Sequence, residues 1–247
     1  MKRVNTVDAE EVARFAAMAA TWWDADGPMR PLHKLNPLRL AWIKQAICAR
    51  FARDMESATA LAGLRILDVG CGAGLVTEPL ARMGAATVGI DPSPEAIAAA
   101  EHHAAGMDLS IDYRAATAED LAAAGESFDV VLALEVVEHV TDVAAFVATC
   151  ATLLKPGGLM VASTINRTMK AWLLAIVGAE YVLRWLPRGT HSYEKFLTPD
   201  EIRALLTRNG LKVTDQTGVV YHPLADEWRM SPDMGVNYMV LAEKPAG

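Results

Sequence analysis

The chain has little cysteine, no surplus of positive charge and no long apolar run. Its three cysteines, Cys48, Cys71 and Cys150, are widely spaced. An odd, dispersed set fits neither a disulfide framework nor a zinc site, and it points to a reducing cytoplasm. Lysine and arginine number 23 against 30 acidic residues, a net charge of −7. Nucleic-acid binders normally carry a basic surplus that neutralises phosphates, so no nucleic-acid partner is expected. A membrane-spanning helix needs about 20 consecutive apolar residues. The longest candidate, 171–179, is too short and lies between Lys170 and Glu180. Asp8, Glu10 and Glu11 sit where an export signal would place its apolar segment, so no such signal is expected. No internal repeat or low-complexity linker is visible.

What is present is a chain of 247 residues, 52% hydrophobic, with a mean hydropathy of +0.18. That length can bury a sizeable core. Residues 8–23 read as a helix with an apolar stripe at Val12, Phe15, Ala16 and Ala19. Residues 24–36 read as a loop, and a second helix is expected from Pro37 to about Phe51, capped by Asn36. Short apolar runs follow at 65–69, 86–90, 109–113, 129–134 and 159–165, with helical segments at 74–83, 93–104 and 142–154. Strands alternating with helices of this length predict βαβ units and a mostly parallel sheet. Runs at 213–220 and 238–242 read as a closing hairpin joined by a loop.

Leu67-Asp-Val-Gly-Cys-Gly-Ala-Gly74 follows the first run and precedes a helix. In open α/β sheets, ligands bind beside the carboxyl ends of strands, where such a turn lies. Gly70, Gly72 and Gly74 allow close approach of a ligand to the backbone. Asp91 ends the second run and can accept hydrogen bonds from ribose hydroxyls. The dinucleotide fingerprint G-x-G-x-x-G fails, because its sixth position from Gly70 is Leu75. Asp68 would repel a pyrophosphate but attract a cation, which favours S-adenosylmethionine, with its amino group and sulfonium, over NAD.

This segment resembles the first motif of class I S-adenosylmethionine-dependent methyltransferases. Phe128–Leu134 resembles their fourth strand and Leu153-Leu-Lys-Pro-Gly-Gly158 their turn into the fifth. The resemblance implies a Rossmann-like α/β fold with a seven-stranded sheet whose last strand is antiparallel. Ala118-Glu119-Asp120 resembles the segment near the adenine, which makes Glu119 a candidate cofactor contact, although a Glu at a helix start also serves as a cap.

Methyl transfer to oxygen needs proximity and a deprotonated nucleophile. Glu135, Glu138 and His139 follow the fourth strand at i, i+3 and i+4, positions that share one face of a helical turn. Two carboxylates and an imidazole there suit a divalent cation such as Mg²⁺. His139 acting directly as general base is the competing role.

Outside the core, Trp22-Trp23-Asp24 and Pro31–Leu40 resemble the N-terminal signature of ubiquinone biosynthesis O-methyltransferases, and Trp172–Tyr181 with Gly189-Thr-His191 resembles their insertion beyond the fifth strand. The resemblance then covers nearly the whole chain. It implies methylation of catechol-type hydroxyls of a 2-polyprenyl-6-hydroxyphenol and of 3-demethylubiquinol. It also implies cofactor contacts at Arg39, Gly70, Asp91 and Leu134, a metal at Glu135, Glu138 and His139, and other proteins of that pathway as partners. A methyltransferase for another phenol or lipid, or a non-catalytic scaffold binding S-adenosylmethionine, is the alternative. From the residues alone, Arg39 suits the cofactor carboxylate or a surface salt bridge. Trp22 and Trp23 suit a pocket wall or helix packing, and His33 and His191 are loop residues that reach the substrate or stay exposed.

The expected organisation is one domain over 1–247. It comprises an N-terminal helical extension (1–60), a core (61–166 and 197–247) and a helical insertion (167–196). Within the insertion, 167–188 carries Arg167, Lys170, Arg184 and Arg188 against Glu180, together with several aromatic and aliphatic residues. That composition suits a helix lying on an anionic membrane surface, or a cap packed on its own domain. The sequence therefore predicts a cytoplasmic protein held peripherally on the inner face of the membrane.

Overall fold

The computed structural model describes residues 6–173 and 193–246. Helix α1 (Ala9–Ala16) is capped by the Asp8 carboxylate, which accepts from the amides of Glu10 and Glu11. It ends well before the expected residue 23 and gives way to a 3₁₀ turn, Ala19–Thr21. Tertiary contacts of the Trp23 ring accompany this. Trp23 stacks flat on His103, centroids 3.4 Å apart, and donates through Nε1 to the Ala73 carbonyl at 2.9 Å. A continuous helix cannot also satisfy those contacts.

Helix α2 (Arg30–Arg50) begins well before the expected Pro37, with Pro31 in its first turn and Pro37 inside it. An interior proline removes one backbone bond and normally kinks a helix. Here Asn36, expected as a cap, is instead a buried helical residue whose amide donates to the Leu75 carbonyl at 3.4 Å. Tertiary burial outweighs the local signal.

The core alternates as expected: β1 (Arg65–Val69), α3 (Thr77–Arg82), β2 (Ala86–Asp91), α4 (Pro94–Gly106), β3 (Asp112–Ala115), α5 (Ala118–Ala123), β4 (Phe128–Leu134), α6 (Val143–Leu153) and β5 (Leu154–Ile165). A short α7 (Met169–Ala171) follows, then α8 (Pro199–Arg208), β6 (Lys212–His222), β7 (Glu227–Ser231) and β8 (Asn237–Glu243). The strand order is β3-β2-β1-β4-β5-β8-β6-β7. The first five strands pair in parallel, and the last three add antiparallel. Among the described residues the sheet therefore has eight strands where seven were expected. The extra one is β7, which lies in the segment expected to be a loop. It pairs with β6 so that Tyr221 lies opposite Trp228, their rings 5.3 Å apart. The two expected runs are not a simple edge hairpin either, because β8 inserts between β5 and β6.

Both faces of the sheet are covered, and alternate residues feed two cores. Ile66, Val130, Leu132, Leu159 and Val161 pack with Ile43 and Ile47 of α2. Leu67, Val131, Ala133 and Met160 pack with Phe146, Val147 and Cys150 of α6 and with Ile202 and Leu206 of α8. Strands buried on both faces read as continuous apolar runs, which made them visible in the sequence. The three cysteines are buried and free. The strand order reverses beside β1, so β1 and β4 open a crevice at their carboxyl ends.

Candidate active site

The turn after β1 runs through left-handed backbone at Gly70, Gly72 and Gly74, with φ of 68°, 53° and 89°. At Gly72 the demand is twofold. A Cβ there would overlap the Trp22 ring, and its amide donates to Asp91 Oδ2 at 3.1 Å. Asp91 also accepts from the Ser93 amide at 2.9 Å through Oδ1. The carboxylate is thus fixed at the end of β2, facing the turn.

A cavity of about 460 Å³ opens above this turn. Its wall includes Asp68, Gly70, Asp91 and Leu134 at the strand ends, Glu119 from α5, Arg39 from α2, and Glu135 and His139 from the segment after β4. Gly72 and Gly74 lie beneath the Trp22 and Tyr113 side chains instead. The rest of the wall is mainly apolar, with Phe15, Leu35, Val219, Tyr221 and Trp228 prominent. A largely apolar cleft with a few converging polar groups is the usual form of a small-molecule site.

Arg39 is buried, so it is not the surface salt bridge that its place on a helix allowed. Nη2 donates to Asn36 Oδ1, and Nη1 lies 3.7 Å from Glu135 Oε1. Neither Nε nor Nη1 makes a hydrogen bond. Burial depresses the guanidinium pKa, while Glu135 and Asp68 oppose that. A buried guanidinium with unsatisfied donors on a cavity wall can receive an anionic group, which would offset the cost of its unpaired donors. The buried Trp22 Nε1 also lacks a partner. Asp68 accepts from Thr77 Oγ1 at 2.7 Å. Burial pushes its carboxyl up to about 6, against the pull of Thr77 and Arg39.

The spacing of Glu135, Glu138 and His139 does not produce a shared face. Glu135 itself takes left-handed backbone, φ 56°, and the residues after it form a 3₁₀ turn, Val137–His139. The i, i+3, i+4 geometry of an α-helix is therefore lost. Glu135 Oε1 accepts from Ser163 Oγ at 2.6 Å. Glu138 turns behind the wall and accepts from Thr164 Oγ1 at 2.9 Å. Burial, and then repulsion from Glu135, push its carboxyl well above the usual range. His139 Nδ1 lies 3.2 Å from Glu11 Oε2. Among the described residues, no three His, Cys, Asp or Glu side chains converge as a metal site. The residues as arranged do not fit the expected cation.

Other candidates separate clearly. Glu119 accepts from Thr6 Oγ1 at 2.7 Å, which ties the N-terminal segment to the cavity wall. Trp22 lines the cavity, whereas Trp23 packs on His103. His33 lies in α2 and contacts the Trp22 carbonyl at 2.7 Å through Nε2, so it braces the N-terminal segment. His191, Arg184 and Arg188 lie outside the described residues. Of the cations expected on a membrane-facing segment, Arg167 pairs with Glu201 and Lys170 with Asp233 at 2.5 Å. Met169, Trp172 and Leu173 are exposed. No helix among the described residues is long and apolar enough to cross a membrane. Glu11 and Lys195 escaped the sequence reading. They meet across 184 positions, Nζ to Oε1 at 3.0 Å, and no local pattern announces such a pair.

Residues 67–162 match the model of the methyltransferase domain family. Solved structures share the fold at low identity. A magnesium protoporphyrin IX methyltransferase from Synechocystis, with bound SAH, superimposes with a TM-score of 0.62 at 20% identity, covering 96% of this chain and 100% of that one. A ubiquinone biosynthesis O-methyltransferase of Sinorhizobium fredii is 58% identical over 241 residues, 98% of this chain and 97% of its own. One of Brucella ovis is 58% identical over 242 residues, 98% of each chain. Likeness of this depth along the whole length, on a methyltransferase fold with its cavity at the strand ends, shows that the chain belongs to the family of ubiquinone biosynthesis O-methyltransferases.

Proposed function

We propose that the chain methylates catechol-type hydroxyls of polyprenylated phenols and quinols, 2-polyprenyl-6-hydroxyphenol and 3-demethylubiquinol, with His139 as general base. The observation that carries this is the placement of His139 on the wall of the same cavity as Arg39, Asp68, Asp91 and Leu134. S-adenosylmethionine, when bound, supplies an electrophilic methyl group on a sulfonium. Arg39, whose buried Nε and Nη1 lack hydrogen-bond partners, would hold its carboxylate. Asp91 would hold the ribose, Glu119 would lie near the adenine, and Leu134 would contact the cofactor. Asp68 would favour the cationic end.

His139 takes the hydroxyl proton as the oxygen attacks. The apolar wall of Phe15, Leu35, Val219 and Trp228 excludes water and suits an aromatic ring with an isoprenoid tail. Proximity and a correctly placed base supply most of what such a displacement requires. The divalent cation implied by the resemblance has no converged ligand set among the described residues, so no step is routed through it. Association with an anionic membrane surface is supported by the composition of 167–188 and by the exposed Met169, Trp172 and Leu173.

The test uses S-adenosylmethionine labelled in its methyl group and short-tailed catechol and quinol analogues. Label is expected on the aromatic oxygen of both. Transfer to neither analogue would leave the non-catalytic reading standing. Repeating the assay in excess chelator measures any share of a cation, and co-sedimentation with vesicles of anionic lipid measures the membrane association.

The Asp68 carboxyl supplies a pH signature. A cationic ligand stabilises its ionised form, so affinity is full above about pH 6. Below that value the carboxyl must lose a proton for binding, and affinity falls by up to about tenfold per pH unit. Calorimetry across pH 5–8 should show this slope in the native chain and a flat profile in Asp68→Asn. A flat native profile would remove Asp68 from the cofactor site.

A further inference from the structure

Helix α1 grips the imidazole of His139 from outside the strand-end wall. Glu11 Oε2 lies 3.2 Å from His139 Nδ1, and the Phe15 ring meets the imidazole edge-on with centroids 5.1 Å apart. Glu11 and Phe15 are four residues apart and share one face of α1. The second oxygen of Glu11 accepts from Lys195 Nζ at 3.0 Å, and Lys195 also reaches Asp8, the cap of α1, at 3.0 Å. Arg14 Nη1 adds a contact to Oε2 at 3.1 Å. The segment before α1 is pinned as well. Val7 bridges Val140, and the Thr141 amide donates to the Thr6 carbonyl at 2.8 Å.

We propose that Glu11, held by Lys195, is the positioning residue that fixes the tautomer and orientation of His139. The inference rests on His139 being the base. An ionised carboxylate only accepts hydrogen bonds, so a neutral imidazole beside it must carry its proton on Nδ1. The acceptor lone pair is then on Nε2, the atom that would take the proton from the substrate. Lys195 Nζ and Arg14 Nη1 both lie within hydrogen-bond distance of the Glu11 carboxylate and favour its ionised form. A buried acid that orients a histidine base recurs wherever the ring must keep one tautomer through a cycle. The Glu11 carboxylate also meets Lys195 and Arg14, so the experiment must separate orientation of His139 from this structural pairing.

The experiment compares the native chain with Glu11→Gln, Glu11→Asp, His139→Gln and the double variant Glu11→Gln/His139→Gln. The amide of Gln can donate to Nδ1 and so permits the wrong tautomer. Glu11→Gln should lower kcat on the order of 100-fold, leaving S-adenosylmethionine affinity within about twofold. In ¹⁵N spectra of histidine-labelled protein, the His139 signals should move from the Nδ1–H to the Nε2–H pattern. Glu11→Asp keeps the carboxylate and should recover part of kcat. The double variant should be no slower than His139→Gln alone. Full kcat in Glu11→Gln overturns the proposal. So does a loss of kcat with an unchanged tautomer and weakened cofactor binding, the mark of a structural latch. Full activity in His139→Gln instead refutes the base assignment on which the proposal depends.

Discussion

Replacing Arg39 with Met should weaken S-adenosylmethionine binding by about 2–4 kcal/mol, on the order of 30- to 1000-fold in Kd. Arg39 is buried with Nε and Nη1 unsatisfied, and nothing else on the described cavity wall offers a comparable cation. Lys170 also lines the cavity, but it is paired with Asp233. The same substitution removes a buried charge with unsatisfied donors but also the Arg39 contacts of Asn36 Oδ1 and Glu135, so the ligand-free melting temperature measures any structural share of Arg39. Loss of binding together with an unchanged or raised melting temperature separates a ligand-directed arginine from a structural one. Arg39→Lys should rescue little, since a point charge cannot reproduce a two-pronged contact with a carboxylate. Calorimetric titration checks the affinity and thermal melts check the stability. A Kd within threefold of native in Arg39→Met would remove Arg39 from the cofactor site.

His139→Gln should leave that affinity intact and lower kcat by about 10²- to 10⁴-fold, equivalent to about 3–5 kcal/mol of barrier. Gln is near the imidazole in size and keeps polar atoms, so the Phe15 contact and the Glu11 end of α1 retain a partner. The split matters more than the size of the loss. A base acts in the transition state, so kcat falls while KM for the cofactor holds. Single-turnover methyl transfer measures this directly. A rise in KM with unchanged kcat would assign His139 to substrate binding alone.

Much of this architecture was legible in the sequence because the strands are covered on both faces. Ile66 and Leu67 feed opposite cores, so β1, after its first residue Arg65, reads as an apolar run interrupted only by Asp68. The glycine turn and Asp91 were legible because each answers to a local backbone need, left-handed φ in one case and a strand end in the other. The failures share a different cause. Asn36 and Pro37 are correct local signals for a helix start, yet α2 begins earlier, because burial against β1 and the turn after it outweighs them. The Glu135, Glu138 and His139 spacing presumes an α-helical turn, and left-handed backbone at Glu135 breaks that presumption at its first residue. Strand β7 was missed because its alternating residues are half-exposed on the sheet edge, where the hydrophobic period is weakest. Glu11 and Lys195 were invisible because pairing between distant segments leaves no periodic trace.

The Trp22 ring over Gly72 changes how that glycine should be read. Glycines in such turns are commonly scored as places where a ligand nears the main chain. Here the first occupant of the space above Gly72 is an indole from the same polypeptide, supplied from fifty positions earlier. The two residues therefore form a single joint, half in the turn after β1 and half in the N-terminal segment that crosses it. Divergence at either half is constrained by the other, whatever small molecule the enzyme takes.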